Sequence, residues 1–281
     1  MLHQFSLYVK SPELRALCYY KNMISYKNRP EKSFDIPLRD GKKLHAILRG
    51  VLTDSTPLIV MMHGRPGSAN EVLQYLGARF FNERGIATLR LSMYDFGLDY
   101  RSILDCTIET HIEDFEDVID YLRTEGAGQV FALGHSYGGM TILGSQAKLE
   151  GAVLWDPSHG LAYFNGNPDF ESDDYPEETY GNIVVGTGGH GSISSKEQAD
   201  YDKALGDNSD WAKDKGYPLK FILAGAGPLA QLAEKYYKAA SEPKAVVNIE
   251  DAHHQFLDSD EVTEKLFTET VEWIEAHHSL L

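Results

Sequence analysis

The sequence has little cysteine and no long apolar run. Its two cysteines, Cys18 and Cys106, lie far apart, so they cannot form a disulfide framework or a cysteine-rich metal site. No apolar run approaches the roughly 20 residues that a membrane-spanning helix needs, so no membrane span is expected. The first residues lack a basic region followed by a continuous apolar stretch. We therefore predict no secretory signal and a cytoplasmic protein.

The sequence also lacks any block of basic residues, and its formal net charge is −16. Such an acidic chain is unsuited to nucleic acid or to an anionic membrane surface, because both would repel it. We therefore predict neither as a partner and interpret the acidity as a source of solubility. With 281 residues, of which 42% are hydrophobic, the chain can build one large α/β domain with an insertion.

Apolar strands alternate with amphipathic helices along most of the chain. Residues 33–50 predict a β-hairpin with a tight turn at Asp40-Gly41. The continuous apolar run 57–62 predicts a strand buried on both faces, as in a parallel sheet. Further strands are predicted at 86–91, 130–133, 152–155, 219–223 and 245–249. This alternation predicts the α/β class, with a mostly parallel sheet covered by helices on both faces.

Helix boundaries are predicted from residues that are typical of helix ends. Thr110-His111-Ile112-Glu113 has the form of a capping box that would begin a helix. The helix after Gly138-Gly139 is expected to run to about Leu149. A polar helix is predicted from about Ser195 to Leu205.

Residues 158–217 break the alternation of strands and helices, which favours an insertion over another βα unit. The predicted organisation is a core of residues 1–157 and 218–281, with residues 1–30 as an N-terminal extension. Aromatic residues of the insertion could line a pocket or pack it onto the core; they are Phe164, Phe170, Tyr175, Tyr180 and Trp211.

The segment Gly134-His135-Ser136-Tyr137-Gly138-Gly139 lies between an apolar strand and a helix-compatible stretch. An abrupt turn from strand to helix brings two backbones close together, and Gly134 and Gly138 have no side chain to obstruct that approach. Ser136 would then lie at the tip of the turn. This context is typical of a nucleophile elbow, so we predict Ser136 as a nucleophile.

Three motifs make the chain resemble the α/β-hydrolase superfamily from about residue 33 to the C-terminus. They are His63-Gly64, the segment around Ser136, and Ala252-His253-His254-Gln255-Phe256. The resemblance implies an esterase-like or lipase-like serine hydrolase, with a cap insertion at 158–217. It also selects His254 over His253 as the base, because His254 matches the Ala-x-His-x-Phe arrangement of the superfamily. It implies no particular substrate.

The carboxylate that would orient the base is less clearly marked. Many members of the superfamily place an aspartate after the strand that corresponds to 219–223, but loop 224–231 has no carboxylate here. Asp156 ends the strand 152–155, where some members carry the acid, and it would emerge at the carboxyl edge of the sheet. We predict Asp156 as the acid, with Asp251 and Asp258 as alternatives and a dyad without an acid as the remaining possibility.

Backbone donors for a tetrahedral oxyanion are predicted at two positions. One is the N–H of Tyr137, directly after the nucleophile. The other is the N–H of Arg65, because Pro66 cannot donate. We expect His63 to shape its loop, and the Arg65 guanidinium to meet solvent or an acidic residue of the insertion in preference to a substrate carboxylate.

These assignments predict a hydrolase of small-molecule carboxylic esters that forms an acyl-enzyme on Ser136 and needs no cofactor or metal. The same residues would serve a thioesterase, an amidase or an acyltransferase. A non-catalytic binding protein of the same fold is an alternative of another class, which the missing carboxylate in loop 224–231 keeps open. The acyl and alcohol specificity and the oligomeric state leave no recognisable signal in the sequence.

Overall fold

The structure is a computed structural model that describes residues 31–162, 177–186 and 193–278. The predicted N-terminal extension and three of the aromatic residues predicted for the insertion, Phe164, Phe170 and Tyr175, lie outside these ranges. The strands, in chain order, are β1 (Glu31–Pro37), β2 (Lys43–Arg49), β3 (Pro57–Met62), β4 (Ala87–Ser92), β5 (Gln129–His135), β6 (Gly151–Trp155), β7 (Glu177–Tyr180), β8 (Ile183–Gly186), β9 (Ile193–Ser195), β10 (Leu219–Ala224) and β11 (Lys244–Ile249).

The α-helices of the described residues flank these strands. They are α1 (Val72–Glu83), α2 (Ile108–Thr124), α3 (Tyr137–Gly144), α4 (Lys196–Ala204), α5 (Leu229–Ala239) and α6 (Asp260–His277). None of them is both long and apolar enough to cross a lipid bilayer.

The main sheet has eight strands in the order β1-β2-β4-β3-β5-β6-β10-β11. The predicted hairpin forms its edge, and β1–β2 and β2–β4 are antiparallel pairs. All the remaining neighbours are parallel. The prediction of a mostly parallel sheet is therefore confirmed. The carboxyl ends of its parallel strands share one edge, where sites form in open α/β sheets.

Apolar side chains of the sheet alternate between two cores, one on each face. In β3, Val60 packs in the core that also contains Phe115 of α2 and Tyr236 of α5. Its neighbour Ile59 packs in the core that contains Phe81 of α1 and Phe267 of α6. A continuous apolar run is needed because both faces of the strand are covered by helices, which confirms the predicted two-sided covering.

Two predicted helix boundaries are wrong. The cap of α2 is Thr107, whose hydroxyl accepts from Thr110 N at 3.3 Å while the Thr110 hydroxyl accepts from Thr107 N at 2.9 Å. Thr110 is thus the third residue of the helix and not its start. Helix α3 ends at Gly144, well before Leu149, because Ser145 is extended and the Gln146 N–H donates to the Glu116 carboxylate at 2.8 Å.

The chain between β6 and β10 contains a three-stranded antiparallel sheet, β7-β8-β9, followed by α4. The predicted polar helix is confirmed, with Ser195 as its N-cap. Tyr201 and Leu205 pack against Tyr137 and Met140 of α3. Helix α4 therefore lies over the first turns of α3. Of the predicted aromatic residues, Trp211 packs against the core that contains Val60 and against a small cluster of Ile108, Tyr137 and Met140. Tyr180 is exposed.

We expect Gly134→Ala to destabilise the protein, because a Cβ there would lie 2.6 Å from the carbonyl carbon and oxygen of Gly138. Backbone atoms cannot move aside as a flexible side chain can. The free energy of unfolding, measured by urea denaturation, should therefore fall by about 1–3 kcal/mol. Gly227→Ala is the matched control, because the nearest atom to its Cβ would be 3.4 Å away. Equal stability of the two variants would contradict this account of the turn.

Candidate active site

Ser136 lies at the tip of the turn between β5 and α3, with backbone angles φ 54° and ψ −120°. A side chain in this region is strained, and the surrounding backbone must hold it there. The Ser136 N–H donates to Trp155 O of β6 at 3.0 Å. A Cβ on Gly138 would lie 2.7 Å from the carbonyl oxygens of Met62 and His63. The ends of β3 and β6 thus enclose the turn, and they fix the position of the serine.

Asp156 and His254 meet at the same edge of the sheet. The Nδ1–H of His254 donates to Asp156 Oδ2 at 2.6 Å, and Asp156 is fully buried. Its other carboxylate oxygen accepts from Ala224 N at 3.3 Å, and its N–H donates to Ile222 O at 2.8 Å. A proton held on Nδ1 makes Nε2 the acceptor of the neutral ring, which is the arrangement that a serine's general base requires.

The alternative carboxylates lie elsewhere in the loop after β11. Asp258 accepts from the ring Nδ1 of His253 at 2.8 Å and from its backbone N–H at 2.9 Å. The His253 side chain is 71% exposed. Asp251 is exposed in the preceding turn. The two adjacent histidines therefore have separate carboxylates, and Asp156 belongs to the buried one.

His135 is part of this arrangement, although it was not among the predicted site residues. Its Nε2–H donates to the carbonyl oxygen of His254 at 2.8 Å, and the two ring centroids are 4.7 Å apart. His135 is 3% exposed. It occupies the variable position of the Gly-x-Ser-x-Gly pattern, so the pattern itself carries no signal for it. The contact supports the backbone of the loop that carries His254.

Ser158 is a second residue that sequence reasoning did not select. Its hydroxyl is 3.1 Å from the Ser136 hydroxyl, and its N–H donates to Ser136 O at 3.0 Å. It follows Asp156 by two residues in a turn that packs on the elbow, since a Cβ on Gly139 would lie 2.7 Å from Pro157 Cβ. The sequence carries no local signal for this contact, because the contact depends on the turn after β6 folding back onto the elbow.

The loop after β3 lies beside the nucleophile. A Cβ on Gly64 would be 3.0 Å from Ser136 Cβ. His63 donates from Nδ1 to Gly64 O at 2.6 Å and accepts from Met93 N at Nε2, at 3.1 Å. Complete burial lowers the pKa of His63 to about 4, so the ring is neutral near pH 7. These contacts fit the expectation that His63 shapes its loop, and they bring residue 65 to the elbow.

The side chains of Arg65 and Tyr137 converge on Asp202 of α4. Arg65 Nη2 is 2.9 Å from Asp202 Oδ2, and the Tyr137 hydroxyl donates to Asp202 Oδ1 at 3.0 Å. The guanidinium also lies 4.5 Å from the centre of the Tyr137 ring. Desolvation raises the pKa of Asp202, and the charge of Arg65 opposes that shift. Arg65 therefore meets an acidic residue of segment 158–217, which was one of the two expected alternatives.

The backbone N–H groups of Arg65 and Tyr137 remain the predicted oxyanion donors. Tyr137 is the first residue of α3, where the aligned peptide dipoles favour negative charge. Arg65 follows Gly64, the residue packed on Ser136. Among the described residues, no group of three or more His, Cys, Asp or Glu side chains is arranged to hold a metal ion.

The family model described as the alpha/beta hydrolase family matches residues 59–265. The chain belongs to this family. Family membership supports hydrolase activity. The match contains all of the strands and loops that carry the residues described above, from the loop after β3 to the loop after β11. A search of curated protein sequences gave no match.

Solved structures of other proteins resemble this alpha/beta hydrolase in fold. Est1E from Butyrivibrio proteoclasticus, with ferulic acid bound, has a TM-score of 0.69 and 19% identity, over 87% of this chain and 98% of its own. The esterase domain of a Rhodothermus marinus protein has a TM-score of 0.65 and 16% identity, over 88% and 98%. The alpha/beta hydrolase GrgF from Penicillium sp. has a TM-score of 0.70 and 15% identity, over 89% and 99%. At these identities the similarity shows a shared fold.

We expect Asp202→Ala to lower the free energy of unfolding by about 3 kcal/mol, because the buried guanidinium of Arg65 loses its carboxylate. Asp200→Ala is the matched control, since Asp200 is exposed on the same helix and should change stability by less than about 0.5 kcal/mol. Urea denaturation measures both. If Arg65→Met restores part of the stability of the Asp202→Ala variant, the loss comes from this ion pair; equal effects of the two aspartate variants would contradict it.

The depressed pKa of His63 predicts a pH-dependent stability. Between pH 6.5 and about 4 the unfolded chain binds a proton at His63 that the folded chain excludes, so stability falls as the pH falls through this window. His63→Gln should reduce the slope of unfolding free energy against pH by up to about 1.4 kcal/mol per unit. Urea titrations at pH 7, 6 and 5 measure the slope. Identical slopes for the variant and the wild type would contradict the buried, neutral histidine.

Proposed function

We propose that this hydrolase cleaves carboxylic esters through an acyl-enzyme on Ser136. The observation that carries the proposal is the 2.6 Å hydrogen bond from His254 Nδ1 to the buried Asp156, at the sheet edge where the elbow holds Ser136. A serine hydroxyl is a poor nucleophile near neutral pH and needs such an oriented base. Membership of the family and the esterases among the structural neighbours add support.

In the first half of the proposed reaction, Ser136 Oγ attacks the ester carbonyl carbon while His254 Nε2 takes the hydroxyl proton. The buried carboxylate of Asp156 stabilises the imidazolium that forms. The N–H groups of Arg65 and Tyr137 donate to the oxyanion. His254 then gives its proton to the departing alcohol oxygen, and the acyl group remains on Ser136.

In the second half, water attacks the acyl-serine and His254 takes a proton from it. Collapse of the tetrahedral intermediate breaks the bond between the carbonyl carbon and Ser136 Oγ, and His254 returns the proton to that oxygen. A different acceptor in place of water would make the same residues a transferase. The esterase identity of two structural neighbours favours the hydrolytic reaction on esters.

Segment 158–217 is proposed to act as a cap over this site. Helix α4 packs on Tyr137 and Met140, and its Asp202 reaches the loop that carries Arg65. A segment in this position would limit the access of water and shape the pocket for the acyl or alcohol group. The proposed partner is therefore a small-molecule acyl ester.

We expect the wild-type protein to release a burst of about one nitrophenol per molecule from p-nitrophenyl acetate, because acylation of Ser136 precedes slower hydrolysis. A fluorophosphonate should label Ser136. Ser136→Ala should lose both the burst and the label, whereas Ser145→Ala, at the end of α3, should keep them. A wild-type protein that neither acylates nor takes the label is not a serine esterase.

Asp156→Asn should lower kcat for p-nitrophenyl acetate by about 10³–10⁴-fold, because an amide cannot hold His254 in the required tautomer or stabilise its cation. Asp258→Asn and Asp251→Asn are the controls, and each should change kcat by less than about threefold, because Asp258 contacts His253 and Asp251 is exposed. Full activity in Asp156→Asn together with loss in either control would show that the acid is misassigned.

A further inference from the structure

Ser158 is held against the nucleophile by the same turn that carries Asp156. Asp156 has φ 40°, and its N–H donates to Ile222 O at 2.8 Å, which turns the chain at the end of β6. Two residues later the Ser158 N–H donates to Ser136 O at 3.0 Å, and the two serine hydroxyls are 3.1 Å apart. Ser158 is only 3% exposed. Its hydroxyl therefore contacts the reacting oxygen from a buried position that a backbone hydrogen bond holds in place.

We propose that Ser158 is a further catalytic residue, whose hydroxyl donates a hydrogen bond to Ser136 Oγ and assists the departure of that oxygen during deacylation. The inference rests on the proposed function. One hydrogen bond joins two hydroxyls, so one must donate and the other accept. In the acyl-enzyme of the proposed reaction, Ser136 Oγ is bonded to the acyl carbon and carries no proton. It can then only accept, so Ser158 is the donor of this hydrogen bond.

The two halves of the reaction use this donor differently. In acylation the bond that breaks joins the carbonyl carbon to the alcohol oxygen, and Ser136 Oγ is the attacking atom. In deacylation water has added to the carbonyl, and the bond to Ser136 Oγ breaks. Its electron pair goes to Ser136 Oγ, which receives the proton from His254. A donor placed on Ser136 Oγ stabilises the charge that develops there, and hydrogen bonds to charged groups are the stronger ones.

The test compares the wild type with Ser158→Ala in rapid mixing with p-nitrophenyl acetate. We expect the steady-state rate, which reports deacylation, to fall about tenfold or more in Ser158→Ala. The burst rate, which reports acylation, should change by less than about threefold. Intact-mass measurement of the acyl-enzyme after removal of the ester gives the deacylation rate directly, and it should show the same tenfold increase in lifetime.

Two further variants separate chemistry from packing. Ser158→Cys keeps the size of the side chain but donates more weakly, so its deacylation rate should lie between those of the wild type and Ser158→Ala. Ser145→Ala removes another buried serine hydroxyl, which donates to Ile142 O and has no part in the proposed chemistry. This variant should deacylate at the wild-type rate. Circular dichroism and thermal melting establish that each variant is folded.

The outcomes are distinct. A slow deacylation with a normal burst in Ser158→Ala, and an intermediate rate in Ser158→Cys, support the inference. The inference is overturned if Ser158→Ala slows the burst and the steady-state rate equally, or if a folded Ser158→Ala variant deacylates at the wild-type rate. In either case a burst from the wild-type protein leaves the proposed function intact. A wild-type protein without a burst overturns the proposed function, and the inference falls with it.

Discussion

The structure depends on a contact between two stretches of backbone, where the end of β5 meets the first turn of α3. Gly134 faces Gly138 so closely that no side chain fits between them. This approach forces Ser136 into a positive φ angle. Strain of this kind persists only when the surroundings over-determine it. The carbonyl oxygens at the end of β3 on one side and Trp155 O of β6 on the other provide that support.

The turn after β6 couples the base and the nucleophile of the candidate site. Asp156 contacts His254 through its side chain, and Ser158 contacts Ser136 through both backbone and hydroxyl. A displacement of this turn would therefore change the base and the nucleophile together. His135 adds a third connection, from the elbow to the backbone of the His254 loop. The candidate site is thus a closed set of contacts among three loops.

Local sequence signals made much of the fold and of the candidate site predictable. Apolar runs buried on both faces indicated the parallel strands, and glycine spacing indicated the elbow of Ser136. Features that depend on distant residues were missed or misplaced. Helix α3 ends early because the Gln146 N–H finds Glu116, and Ser158 and Asp202 matter through contacts that neither pattern nor periodicity encodes. The assignments of Ser136, His254 and Asp156 to reaction steps stay predictions, although the structure brings the last two together.

The buried pair of Arg65 and Asp202 bears on how new specificities could arise in this chain. Exchanging segment 158–217 for the corresponding segment of a relative would replace Asp202 together with the rest of the segment. Here the segment supplies Asp202, the buried carboxylate that pairs with the guanidinium of Arg65 in the loop after β3. A transplanted segment without a carboxylate at position 202 would leave the buried guanidinium without this ion-pair partner. Productive exchange would therefore have to change both positions in concert.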